Sequence, residues 1–245
     1  MKFLKNTLIP LAFWLAVWQG AAMLAGSELL LPGPVRVAQA LAVQAAGADF
    51  WRITALTLGR VFAGTAAGAV LGAVIAVLTC ASRWCERILV PAVKVIRATP
   101  VASFILLVLL WVSTGRVPGV ISALMVLPVV WGNVSKGIRE TDPQLLELAR
   151  AYRFGRGRTV RLVYLPAAAP YFAAGVETAL GLAWKAGVAA EVLCRPKWAV
   201  GSEIFFARTY LETPDLFAWT LVVIALSFLV EFALVRLLRK AVRHD

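Results

Sequence analysis

Arg60, Glu177 and Lys185 are ionisable residues in stretches of this 245-residue chain that are otherwise apolar enough to cross a membrane. Unpaired at the centre of a membrane helix, each costs about 2.5–3.5 kcal/mol. Such residues pair with one another, line a wetted cavity or meet a charged solute. Glu177 and Lys185 are eight residues apart on one predicted helix, about 12 Å of rise, so they do not pair directly. Arg60 then has two partnerships open to it: an ion pair with Glu177, or a hydrated cavity shared with Lys185. Covalent chemistry has less to build from. The sole His is His244, near the C-terminus, and Cys80, Cys85 and Cys194 lack metal-ligand spacing and read as reduced structural thiols. The 13 Asp and Glu are scattered, which leaves an integral membrane enzyme without a visible acid–base pair or metal cluster.

A second group of residues suits docking. From Lys136 to Leu165, closed by Pro166, the chain turns polar and Arg-rich between two apolar runs. Asp142-Pro143 is a helix start, because the Asp side chain caps free amides and Pro tolerates the first turn. Leu145, Leu148, Ala149 and Tyr152 then recur at the spacing of one helix face. Gly155 is placed to stop that helix. A second short helix is expected around Thr159–Tyr164, meeting the next span at Leu165-Pro166. Arg150, Arg153, Arg156, Arg158 and Arg161 occupy the other side and the following turn. Contact with anionic lipid would account for the charge, but not for a capped amphipathic helix joined stiffly to a membrane helix. The docking face carries more of the pattern.

The elements that position these residues are membrane spans. Mean hydropathy is +0.81 and 61% of residues are hydrophobic, above the share of a soluble domain. Six spans are predicted, at about 8–24, 51–78, 88–112, 117–134, 166–190 and 217–238, within one transmembrane domain over 1–245. The first is read as a retained helix rather than a cleaved signal, given its length and the bulk of Trp14 and Trp18. Residues 35–46 read as a short amphipathic helix outside the membrane. The third span is expected to have its membrane core at 101–112 and a surface helix before it, bent at Ala98-Thr99-Pro100. Gly64, Gly68, Gly72 and Ala76 on the second span, and Gly175, Ala179, Ala183 and Gly187 on the fifth, form bare faces for close helix contact. Of the 25 Lys and Arg, seventeen fall in the N-terminal, second, fourth and C-terminal inter-span segments and six in the others. The positive-inside bias therefore predicts a multi-pass protein with both termini in the cytoplasm. A net charge of +12 distributed this way points to a membrane surface and away from nucleic acid.

The segment from Glu147 to Pro166 resembles the EAA loop of ABC importer permeases. That pattern is E-A-A, a Gly six residues after the Glu and an apolar-x-L-P ending, matched here by Glu147, Ala149, Val163, Leu165 and Pro166. Leu148 replaces the first Ala and Arg153 stands at the Gly position, leaving Gly155 to take over the turn. Arg97-Ala98-Thr99-Pro100 is similar to the R-x-x-P entry to the third span in the nitrate/sulfonate/taurine branch. Ala190-Glu191 with Gly201 is similar to its A-E…G stretch. The resemblance implies an all-α, type I ABC importer permease (MetI-like) fold in the bacterial inner membrane. Leu145, Glu147, Leu148, Ala149, Tyr152, Arg153, Gly155, Leu165 and Pro166 would couple to a cytoplasmic ATPase, while Arg60, Glu177 and Lys185, by their charge at membrane depth, and Glu191 are the candidates for the translocation path. It further implies a second permease copy or paralogue, an extracytoplasmic solute-binding protein, and a small anion such as nitrate, sulfonate or taurine, or a related small organic solute, as substrate. No cofactor is expected on this chain. It has no G-x-x-x-x-G-K-[ST] segment, so ATP belongs to the partner subunit. A self-sufficient secondary transporter would show broken spans in paired halves; the 245-residue length and the absence of a visible inverted repeat count against it.

Overall fold

The computed structural model describes residues 2–242, with side chains from 8 to 232 and at Arg236; Arg243 and His244 lie outside the described residues. All regular structure among them is helical. The helices are α1 (Lys2–Ala25), α2 (Pro34–Ala45), α3 (Ala48–Ala81), α4 (Arg83–Ala98), α5 (Val101–Val108), α6 (Val117–Arg139), α7 (Pro143–Ala151), α8 (Arg156–Thr159), α9 (Leu165–Cys194), α10 (Val200–Thr209) and α11 (Thr213–Val242). The chain forms two compact units, and α3, α9 and α11 each contribute residues to both.

One unit comprises the chain up to Thr57 with Glu191–Leu226. Its core gathers Phe50, Ile53, Val200, Trp219 and Val222, with the Phe50 and Trp219 rings stacked at 5.1 Å. Polar ties hold the chain between helices. Trp18 Nε1 donates to the Pro32 carbonyl at 3.1 Å, Thr213 Oγ1 to the Leu29 carbonyl at 2.9 Å, and Gln44 Nε2 to Asp215 Oδ1 at 2.7 Å.

The other unit, Leu58–Ala190 with the chain from Ser227 on, is built on close backbone contact. Gly64 lies against Gly119, Gly68 against Ala123 and Gly72 against Leu127. The match advances four residues at a time on both α3 and α6, so the bare glycine row of α3 meets the α6 backbone directly, with Val126 and Val130 closing on Gly68 and Gly72. A Cβ added at Gly72 would stand 2.7 Å from the Leu127 carbonyl oxygen. The small-residue row of α9 is likewise turned inward. Ala179 and Ala183 are fully buried, Ser122 Oγ donates to the Ala183 carbonyl at 3.1 Å, and a Cβ at Gly187 would meet Ser122 Oγ and Val61 Cγ2 at 2.7 Å.

Two boundaries differ from those expected. α6 runs on to Arg139, so the first residues of the polar stretch are helix, and Glu140 closes it by a bond from its N–H to the Lys136 carbonyl. The third span is not one helix. α4 and α5 meet at 108° across Thr99-Pro100, since the residue before a proline is driven out of the helical region and Thr99 takes ψ 130°. The bend falls where Arg97-Ala98-Thr99-Pro100 places it. The helix beyond it, however, ends at Val108 instead of 112. Eight residues rise about 12 Å, too short to cross a hydrocarbon core of about 30 Å alone. Among the described residues four helices are long and apolar enough to span a membrane, or five if the bent pair is one span. α9, at 30 residues, has the length for a sixth, with its apolar character diluted by Glu177 and Lys185.

Candidate functional site

The polar stretch folds as its cap predicts. Asp142 Oδ1 accepts the Gln144 N–H at 2.8 Å and Pro143 occupies the first turn of α7. Of the apolar face, only Ala149 is buried; Leu145, Leu148 and Tyr152 are 46%, 54% and 71% exposed. Three large apolar groups thus stand uncovered on α7, of which Ala149 is buried and Leu146 half-buried. Glu147 is exposed beside them.

Arg153, not Gly155, ends this helix. It adopts φ 51°, its N–H bonds to the Arg150 carbonyl at 2.9 Å, and the Phe154 N–H reaches back to the Ala149 carbonyl at 2.8 Å. This is the paired closure that normally places glycine at the left-handed position. Gly155, at φ −66°, instead precedes α8. Arg158 lies 4.6 Å above the Phe154 ring and covers the turn.

From Arg156 to Cys194 the helical backbone is unbroken, because a π-turn over Val160–Tyr164 joins α8 to α9. The Leu165 N–H bonds to the Val160 carbonyl, one residue farther back than in an α-helix. Pro166 explains the widening: it has no N–H, and its ring would crowd the Leu162 carbonyl in a regular turn. Val163 is buried, whereas Leu165 is 62% exposed and Pro166 is also exposed. The expected separate helix around 159–164 is therefore the wide first turn of one long rod.

Farther along α9, Glu177, Thr178, Gly181 and Lys185 share the exposed face, opposite the buried Ala179 and Ala183. Among the described residues neither Glu177 nor Lys185 joins an ion pair. The pairing of Glu177 with Arg60 that was left open is therefore not formed; Arg60 is half-buried on α3.

These features match known transport proteins. Residues 68–244 match the family described as binding-protein-dependent transport system inner membrane component. The putative aliphatic sulfonates transport permease protein SsuC of Bacillus subtilis is 30% identical over 97% of this chain and 86% of its own length. The chain belongs to this permease family. The taurine transport system permease protein TauC of Escherichia coli is 26% identical, over 94% of this chain and 86% of its own. The protein is accordingly an ABC importer permease of the nitrate/sulfonate/taurine branch. A crystal structure of an amino acid ABC transporter with histidines shares the fold, with a TM-score of 0.62 over 77% of this chain and 90% of that one at 19% identity.

Two features of the permease were not anticipated from sequence. Glu191 is fully buried, off the exposed face of α9. Its Oε2 accepts the Thr57 hydroxyl at 3.0 Å and the Gly201 N–H at 3.2 Å, while Thr57 Oγ1 accepts the Val200 N–H at 3.0 Å. The Glu and Gly of the A-E…G resemblance are thus bonded to each other, holding the amino end of α10. The only signal for this was that motif, and Thr57 carried none. The second feature is a cavity of about 610 Å³ in the same unit, where Asp49, Glu203, Glu212 and Asp215 meet Phe50, Phe206, Tyr210 and Trp219. Burial, and then the nearby Asp49 carboxylate, push the Glu203 carboxyl above its ordinary range. Acids that look scattered in the sequence are here gathered, although among the described residues no group of His, Cys, Asp and Glu is arranged to hold a metal ion.

Proposed function

We propose that this permease, paired with a second copy of itself or a paralogue, encloses a translocation path for a small anion of the sulfonate, taurine, nitrate or bicarbonate kind, or a related small organic solute. α7 docks on a cytoplasmic ATPase subunit, and an extracytoplasmic solute-binding protein delivers the solute. Leu145, Glu147, Leu148, Ala149, Tyr152, Arg153, Gly155, Leu165 and Pro166 form the coupling element. ATP-driven movement of the docked α7 passes along the rod from Arg156 to Cys194 to the α9 face carrying Glu177 and Lys185. Both termini lie in the cytoplasm.

The observation that carries this reading is the capped α7 with its exposed Leu145, Leu148 and Tyr152, followed after the turn at Arg153 by the unbroken helical backbone that runs from Arg156 into α9. Relatives named for sulfonates, taurine and bicarbonate, the last from Synechococcus elongatus at 26% identity over 93% of this chain, favour an anion. Lys185 suits one; Glu177 does not. Glu147→Arg, or a glycine inserted before Pro166, is expected to uncouple ATP hydrolysis from uptake in reconstituted vesicles while membrane insertion persists. Normal uptake in both variants would remove the coupling role.

A further inference from the structure

The second unit holds a cavity of about 720 Å³ at the ends of α3 and α6, closed on a third side by the π-turn. Its lining is divided. Val77, Ile138 and Val160 contribute apolar surface, and Arg83 and Arg139 contribute positive charge with one counter-charge, Glu86. Arg139 Nη2 donates to Glu86 Oε1 at 2.7 Å, which fixes the guanidinium and leaves most of its five donors for another acceptor. Arg83 is exposed and joins no ion pair among the described residues. The cavity therefore carries an excess of one guanidinium.

What lies next to the cavity decides what fits it. Val70, Leu71, Val74, Val77 and Leu78 are 44–61% exposed and run as a ridge along α3 away from the basic rim. Trp84, 73% exposed, stands beside Arg83 in the position of an interfacial anchor. A basic recess at the end of membrane helices, continued by an exposed apolar track, has the shape of a lipid rather than of a soluble ion.

We propose that this cavity binds the phosphate headgroup of an anionic phospholipid, with Arg83 and Arg139 on the phosphate and an acyl chain along the α3 ridge. The proposal rests on the membrane-permease reading and on its placing of this end of α3 at the inner leaflet. Val160 and Tyr164 of the π-turn line the same cavity, so a bound lipid braces the joint through which α7 acts on α9. Anionic lipid then regulates coupling without touching the solute path.

Native mass spectrometry of the full-length permease, released from detergent with phosphatidylglycerol or phosphatidylcholine, tests this independently of transport. The wild type should retain phosphatidylglycerol preferentially. Arg83→Gln should cut that preference roughly ten-fold, as expected for loss of a charge-assisted hydrogen bond. Val77→Trp should lower retention of the lipid by blocking the apolar track without changing charge, whereas Arg208→Gln, on α10 and not among the residues that line the cavity, should leave it unchanged. Equal retention of the two lipids, or an Arg208→Gln effect matching Arg83→Gln, overturns the proposal. Displacement of the lipid by millimolar inorganic phosphate overturns it too and assigns the recess to a soluble anion. If selective retention holds while the Glu147→Arg variant transports normally, the lipid site stands and the coupling assignment falls.

Discussion

Arg153 sits at the point where the chain turns from α7 towards α8 and α9, and it does so in a conformation that costs a residue with a Cβ about 1–2 kcal/mol. Its φ of 51° is held by the Phe154-to-Ala149 bond and by Arg158 over the Phe154 ring. Arg153→Gly would relieve the steric cost while adding some unfolded-state entropy, a net gain on the order of 1 kcal/mol. Hydrogen exchange in nanodiscs should then show the Phe154 amide several-fold better protected. Unchanged or weaker protection would mean that Arg153 is not strained there. The sequence marks this position as anomalous but cannot say which residue turns the chain. Glycine is the default left-handed residue, so Gly155 is the natural candidate. Only the two backbone bonds at the end of α7 identify Arg153. The Asp142 cap, by contrast, is legible because it depends on residues two apart.

The association of α3 with α6 rests on absent side chains on α3. At Gly68 an added methyl would overlap the Ala123 backbone and the Val126 side chain, which sit on a rigid helix and cannot move alone. Gly59, on the same helix, has nothing within 4 Å of such a methyl. Gly68→Ala should therefore destabilise the permease by about 1–3 kcal/mol, whereas Gly59→Ala should be neutral or mildly stabilising through helix propensity. Thermal aggregation followed by size-exclusion chromatography in detergent separates the two. Equal behaviour would show that backbone contact is not what joins α3 to α6. The small-residue rows were legible because a four-residue repeat is a local pattern with one physical use. The shortness of α5 was not, since nothing in the composition of 101–112 distinguishes helix from turn after Val108. The Thr57–Glu191–Gly201 cluster lay beyond reach for another reason: Thr57 comes to Glu191 across 134 positions, a distance that no periodicity encodes.

Over the whole molecule the decisive property is the charge asymmetry. Five acids accompany the seventeen Lys and Arg assigned to one side, and six accompany the six on the other. Within the spans, Arg60 and Lys185 offset Glu177 and Glu231, so the entire net charge of +12 belongs to one side. In the proposed orientation the α7 face and the basic recess belong to that side. In that orientation, retention of Lys and Arg in the cytoplasm during insertion sets the side of both, and a reversed molecule would deprive α7 of the docking role proposed for it. Single-cysteine variants test the whole arrangement after Cys80, Cys85 and Cys194 are replaced by alanine. Arg156 and Tyr210 are both exposed, and the proposed topology assigns them to opposite sides of the membrane. A membrane-impermeant maleimide added to intact spheroplasts should label Tyr210→Cys and leave Arg156→Cys unlabelled until the membrane is opened. The opposite pattern would invert the orientation, and with it the ATPase-facing role of α7 and the leaflet assigned to the lipid recess.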